Sequence, residues 1–206
     1  MTLISGSELR SREAKLERQS SRAMMLSIAA VALLSLAACG DAAAPSAQLL
    51  PREAIVPLSA VTRYFPDVTA EASTGANETS VGTPIASRSV VFASADRKKK
   101  VTVSVDRYAS AGDAAVAYQT AVEGSKAAPG FKPAPAPNLG QEAFAGTSQV
   151  GTEMHFGLGA RDGRLIMSAT HAGDIPVTPE NSHNLISLGD LELTTVKQVL
   201  GPSGNS

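Results

Sequence analysis

The stretch Thr152-Glu153-Met154-His155-Phe156-Gly157-Leu158-Gly159-Ala160-Arg161-Asp162-Gly163-Arg164-Leu165-Ile166-Met167-Ser168-Ala169-Thr170-His171-Ala172 alternates apolar and polar residues on both sides of Asp162-Gly163. Asp-Gly between two alternating segments is a strong hairpin signal, because the two-residue turn it favours needs positive φ at both central positions. Pairing Thr152 to Ala160 with Arg164 to Ala172 sets Met154, Phe156, Leu158 and Ala160 opposite His171, Ala169, Met167 and Leu165. That face is expected to be core. The reverse sets His155, Gly157, Gly159 and Arg161 opposite Thr170, Ser168, Ile166 and Arg164, a mostly polar surface turned to water or to a shallow groove.

Working outward, Arg88 to Ala93 and Lys99 to Tyr108 also read as strands, with Val101, Val103 and Val105 alternating against Thr102, Ser104 and Asp106. A turn centred on Asp96-Arg97 places Val90 opposite Val103 and Phe92 opposite Val101, so the apolar residues of both strands share one face. Ser110 and Asp113 form an S-x-x-D cap before Ala111, Ala114, Ala115, Tyr118, Ala121 and Val122, one face of a helix that Gly124 is placed to end. Between the helix and the hairpin, Gln141 to Gln149 is a further strand candidate.

Ser59 to Phe65 reads as a short helix capped by Ser59 and stopped by Pro66, and Asp67 to Pro84 as a loop. Thr178-Pro179 opens a final helical region carrying Leu185, Leu188, Leu193, Val196, Val199 and Leu200, with Gly189-Asp190 as a point where it would split and Gly201 as its end. The expected class is α+β: an antiparallel sheet of about five strands with two or three helices packed on it.

The N-terminal region carries the clearest functional signal. Arg18 and Arg22 precede an uncharged apolar run from Met24 to Leu36, 13 residues long. A membrane-spanning helix needs about 20, so the run has the length of a signal peptide. It closes on Leu36-Ala37-Ala38-Cys39, which holds the sole cysteine of the chain. These four residues resemble the lipobox of bacterial lipoproteins. The resemblance implies cleavage between Ala38 and Cys39, a diacylglyceryl group on the Cys39 thiol, further acylation such as palmitate on the new amino terminus, and a membrane anchored through that lipid. The protein is then extracytoplasmic, on the outer face of the plasma membrane or on the outer membrane of a two-membrane cell. Read without the motif, Cys39 is a buried small apolar residue or a chance thiol. The expected organisation is a signal peptide with a polar N-terminal extension over 1–38, a tether over 39–49, one domain over 50–201 and a tail over 202–206.

Cleavage there leaves 168 residues of net charge −3, without tryptophan or an arginine-rich stretch, which lacks the basic footprint of a nucleic-acid binder. Arg97-Lys98-Lys99-Lys100 is the one dense charge cluster. It suits either anionic headgroups or the protection of a strand edge from further pairing. No G-x-S-x-G elbow, no S-x-x-K with partner motifs and no free thiol offers a nucleophile. Gly157-Leu158-Gly159-Ala160-Arg161 lacks phosphate-loop spacing and lies in a strand. His155 and His171 fall on opposite faces and His183 in another element, so no metal or cofactor site is expected.

The segment Val101 to Val122, together with Pro137-Asn138-Leu139-Gly140-Gln141-Glu142-Ala143-Phe144, resembles the small α+β lipoproteins of actinobacterial envelopes, including PsbP/Mog1-like domains and the extracellular sensor domains of serine/threonine kinases. The cysteine pair many of those domains use is absent. The resemblance brings no catalytic residue, and the expected function is a non-enzymatic module that binds a small apolar or amphipathic molecule, or an envelope protein partner, near the membrane. A ligand is expected in a cavity between the sheet and the helix Ser110 to Val122. The alternative is an envelope hydrolase, which would require carboxylates gathered around His171.

Overall fold

The computed structural model describes residues 47–201. Strands β1 (Gln48–Leu49), β2 (Ala70–Gly75), β3 (Ala86–Ala93), β4 (Lys99–Arg107), β5 (Lys132–Ala134), β6 (Glu142–Val150), β7 (Glu153–Asp162) and β8 (Leu165–Gly173) form one sheet. Helices α1 (Leu58–Tyr64), α2 (Ala111–Lys126) and α3 (Pro179–Leu200) and a 3-10 turn at Arg52–Ala54 complete the described residues. The sheet runs β1-β3-β4-β8-β7-β6-β5, with β2 also on the outer edge of β3. All pairs are antiparallel except β1 with β3.

The sheet has eight strands where about five were expected. The three extra ones lack apolar alternation: β1 is two residues of the expected tether, β2 (Ala-Glu-Ala-Ser-Thr-Gly) is almost wholly exposed inside the expected loop, and β5 contains Pro133. All three lie at the sheet's margins, where backbone pairing suffices and proline is tolerated. The register of β2 slips between Glu71 and Ser73, a bulge that blunts this edge against further pairing.

Val90 pairs with Val103 and Phe92 with Val101 around the basic turn, where Arg97 takes a φ of 61°. The second hairpin differs from its expected register by two residues. Asp162 pairs with Leu165, so the loop is Gly163-Arg164, and Phe156, Leu158 and Ala160 meet His171, Ala169 and Met167. Only Gly163 of the two has positive φ, the pattern of a turn with glycine first. An even slip leaves every side chain on its expected face.

On that face the rung Phe92, Val101, His171, Phe156 and the rung Val90, Val103, Ala169, Leu158 form the core floor under α3, whose Leu185, Leu188, Leu193 and Val196 are buried. The helix is continuous through Gly189. A Cβ there would press within 3.1 Å of Leu158 Cδ1 and Met167 Cε, so the glycine serves close helix–sheet approach and not a break. Thr178 caps it, its Oγ1 accepting from the Asn181 N–H at 3.1 Å. Helix α1 begins at Leu58 after Pro57, so Ser59 lies in the first turn and caps nothing.

The opposite face carries α2. Ser110 Oγ accepts from the Asp113 N–H at 3.0 Å, and Ala114, Ala117, Tyr118 and Val122 are buried. The helix passes Gly124 and ends at Lys126. Ile166 and Tyr108 pack beneath it, and Tyr118 meets Phe144 edge-on at 5.9 Å.

Candidate ligand-binding site

Ala38 and Cys39 lie outside the described residues. His155 and His171 sit on opposite faces of the sheet and His183 on α3. Among the described residues no group of three or more His, Cys, Asp or Glu is placed to hold a metal.

His171 is fully buried in the middle of the core, not at its edge, because the two-residue register difference moves it inward to pair with Phe156. Its ring lies 5.7 Å from that of Phe156 and 5.9 Å from that of Phe65, and neither nitrogen has a protein hydrogen-bond partner. Burial pushes its pKa down to about 4, with a smaller contribution from His155. The ring is therefore neutral at pH 7 and behaves as an apolar filler.

Two buried carboxyls escaped the sequence reading. Glu192 on α3 is fully buried; its Oε2 accepts from the Val56 N–H at 2.8 Å, and Oε1 has no partner. Burial raises its pKa to about 8. Its position was visible, since Leu185, Leu188, Glu192 and Val196 fall on one helical stripe. Asp106, on the α2 face, is raised to about 6 by burial, partly opposed by hydrogen bonds from Ser80 Oγ at 2.6 Å and Asn77 Nδ2 at 2.8 Å. Those bonds fasten the loop before β3 to the sheet.

The expected opening under α2 is filled by its buried alanines and Tyr118 and by the Phe144 ring, which lies over Gly159. An open depression of about 700 Å3 lies instead at the end of the sheet where β7 begins and β8 finishes. Met154 shares a face with Phe156 and Leu158, which sets the depression on the α3 side. Met154, Ile175 and Val177 supply apolar surface, while Lys132, Glu153 and Asp174 add charges of both signs. Such a lining suits a molecule with an apolar body and a polar or zwitterionic end.

The basic turn closes this same end. Gly173, at a φ of 84°, lies against the Lys98 carbonyl, which also accepts from the Asp174 N–H at 2.9 Å. Lys99 is paired with Asp67, and Asp96 accepts from Ser94 Oγ and the Lys98 N–H. The turn is thus held by its backbone and by neutralising partners. Replacing Lys98, Lys99 and Lys100 together by glutamine is expected to move the Tm by no more than about 2 °C in a thermal melt. A larger fall would contradict a solvated tip.

No protein-family model and no curated protein matches the chain. Among solved structures, the extracellular domain of PknH from Mycobacterium tuberculosis aligns with a TM-score of 0.48 at 8% identity, covering 68% of this chain and 93% of that one. LpqN, described as involved in cell envelope biogenesis of the same organism, aligns with a TM-score of 0.30 at 12% identity, covering 61% and 82%. Likenesses of this size assign neither family nor activity, and the functional reading rests on the chain's own residues. Among the described residues no helix is long and apolar enough to cross a membrane.

Proposed function

We propose that the chain is an envelope lipoprotein, anchored outside the cytoplasm by lipid on Cys39, whose domain binds a small amphipathic molecule without transforming it. The carrying observation is Leu36-Ala37-Ala38-Cys39 closing an uncharged apolar run too short to span a bilayer. Two acyl chains make such an anchor stable where one is marginal. The depression at Met154, Ile175 and Val177 supports the binding part of the reading.

Growth with radiolabelled palmitate tests the anchor: the wild-type chain is expected to take up label and the Cys39→Ser chain none. Label on both would refute the lipoprotein reading. A native mass spectrum of the chain from Asp41 onward tests the domain. An adduct lost on denaturation supports a carrier or sensor, whereas a bare monomer favours recognition of a partner protein and calls for crosslinking at the membrane.

A further inference from the structure

Strand directions bring several chain segments to one end of the sheet. There β1 pairs with the start of β3, β4 ends at Arg107, β8 starts at Leu165, and β7 ends at Asp162. The last turn of α3 joins the same end through the ion pair of Lys197 with Asp162. Five large apolar side chains stand out as exposed among the described residues, and three of them lie toward this end, Leu49 (54%) and Ile85 (40%) at the β1 margin and Val199 (39%) in the last turn of α3, across the sheet beside β7. Leu49 and Ile85 are tied together by the backbone, since the Gln48 N–H donates to the Ile85 carbonyl at 2.9 Å.

The covalent path to the membrane leaves from the same place. Eight residues, 40–47, separate Cys39 from β1. Fully extended they reach about 30 Å. The basic turn lies at the other end of β3 and β4, so it is farther from the attachment point by the length of those strands.

We propose that this end of the domain, with Leu49 and Ile85 at the sheet margin and Val199 on the last turn of α3, rests on the bilayer that holds the lipid, its apolar side chains entering the boundary between headgroups and acyl chains. This rests on the lipoprotein reading. It turns the depression at Met154 and Asp174 away from the bilayer, open to the space beyond, and makes a contact of the basic turn with lipid unnecessary.

The test uses the full lipidated protein in vesicles of phosphatidylglycerol and phosphatidylcholine, with a nitroxide on Val199→Cys or, separately, on Ala95→Cys in the basic turn. Both sites are exposed, so neither change disturbs the core. Collisional relaxation by oxygen against a water-soluble nickel chelate is expected to place the label at residue 199 about 5–10 Å below the phosphates, the depth of an interfacial apolar face, and the label at residue 95 in water. Intact mass reports the lipid on Cys39 in the same samples. A lipidated chain whose label at residue 199 stays in water, or whose label at residue 95 enters the bilayer, overturns the orientation alone. A chain recovered from export without lipid overturns the lipoprotein reading and this one with it.

Discussion

A Glu192→Gln chain is expected to lose most of the alkaline decline in stability that the wild-type domain shows between pH 6.5 and 8. The unfolded carboxyl releases its proton near its ordinary value of 4.5, whereas the folded one holds it to about 8. Its contribution is therefore complete below pH 4.5 and is lost as pH rises through 8. The loss is about 4 to 5 kcal/mol, at about 1.4 kcal/mol per unit. Glutamine keeps an acceptor for the Val56 N–H and carries no proton to lose.

His171 acts in the opposite sense. Its folded pKa is about 4 against an ordinary 6.5, so its contribution is complete above pH 6.5 and falls away toward pH 4, by about 3 kcal/mol. Between pH 4.5 and 6 the rise from His171 is opposed by Glu192 and by Asp106, whose carboxyl is also raised, so the wild-type curve is expected to decline there, less steeply than Glu192 and Asp106 alone would make it. Denaturant melts at pH 5, 6.5 and 8 on the wild-type, Glu192→Gln and His171→Leu chains separate them. Relative to wild type, His171→Leu should steepen the decline between pH 5 and 6.5, and Glu192→Gln should flatten the curve between pH 6.5 and 8. Asp106, also raised, contributes equally in all three chains and drops out of the differences. Parallel curves for wild type and Glu192→Gln from pH 6.5 to 8 would mean that Glu192 is already ionised in the folded protein at pH 6.5.

Gly173→Ala is expected to cost more than about 3 kcal/mol, and Gly124→Ala to add stability, although both exchange the same atoms. At Gly173 the φ of 84° already penalises any side chain by about 1–2 kcal/mol. A Cβ would also overlap the Lys98 carbonyl oxygen, which is backbone held by the Asp174 N–H and cannot turn aside. Gly124 lies inside α2 with nothing within 4 Å of the added carbon, so alanine gains about 0.5–1 kcal/mol of helix propensity. Thermal melts of the two chains should move in opposite directions. A Gly173→Ala chain as stable as wild type would contradict the close approach of β8 to the basic turn.

Much of the architecture was legible because alternation and capping are local. Val101, Val103 and Val105 gave both their strand and its register, and Ser110 gave the start of α2. The register of the second hairpin was not legible, because a two-residue slip keeps Phe156, Leu158 and Met167 inward and Gly163 accepts positive φ at either turn position. Strands β1, β2 and β5 were missed since their stability lies in backbone pairing with β3 and β6, which leaves no trace in side-chain pattern. For the site, the polarity and spacing around Cys39 form a continuous motif, whereas the depression is assembled from Lys132, Thr147, Glu153, Met154 and Asp174 to Val177, residues that meet only when folded. Glu192 was legible on its helical stripe, and its partner Val56 was not.

That hydrogen bond joins groups 136 positions apart. The Arg52–Ala54 turn also packs on α3, so part of the cover over the first folded segment of the domain comes from the last helix. Long-range closure of this kind slows folding, and it prevents the core from being completed piecemeal from the amino terminus. For a chain threaded outward amino terminus first, residues 52–56 reach the far side long before residues 179–200 and lack the α3 part of their cover until then. The layer of the core that α3 closes is then the last to form.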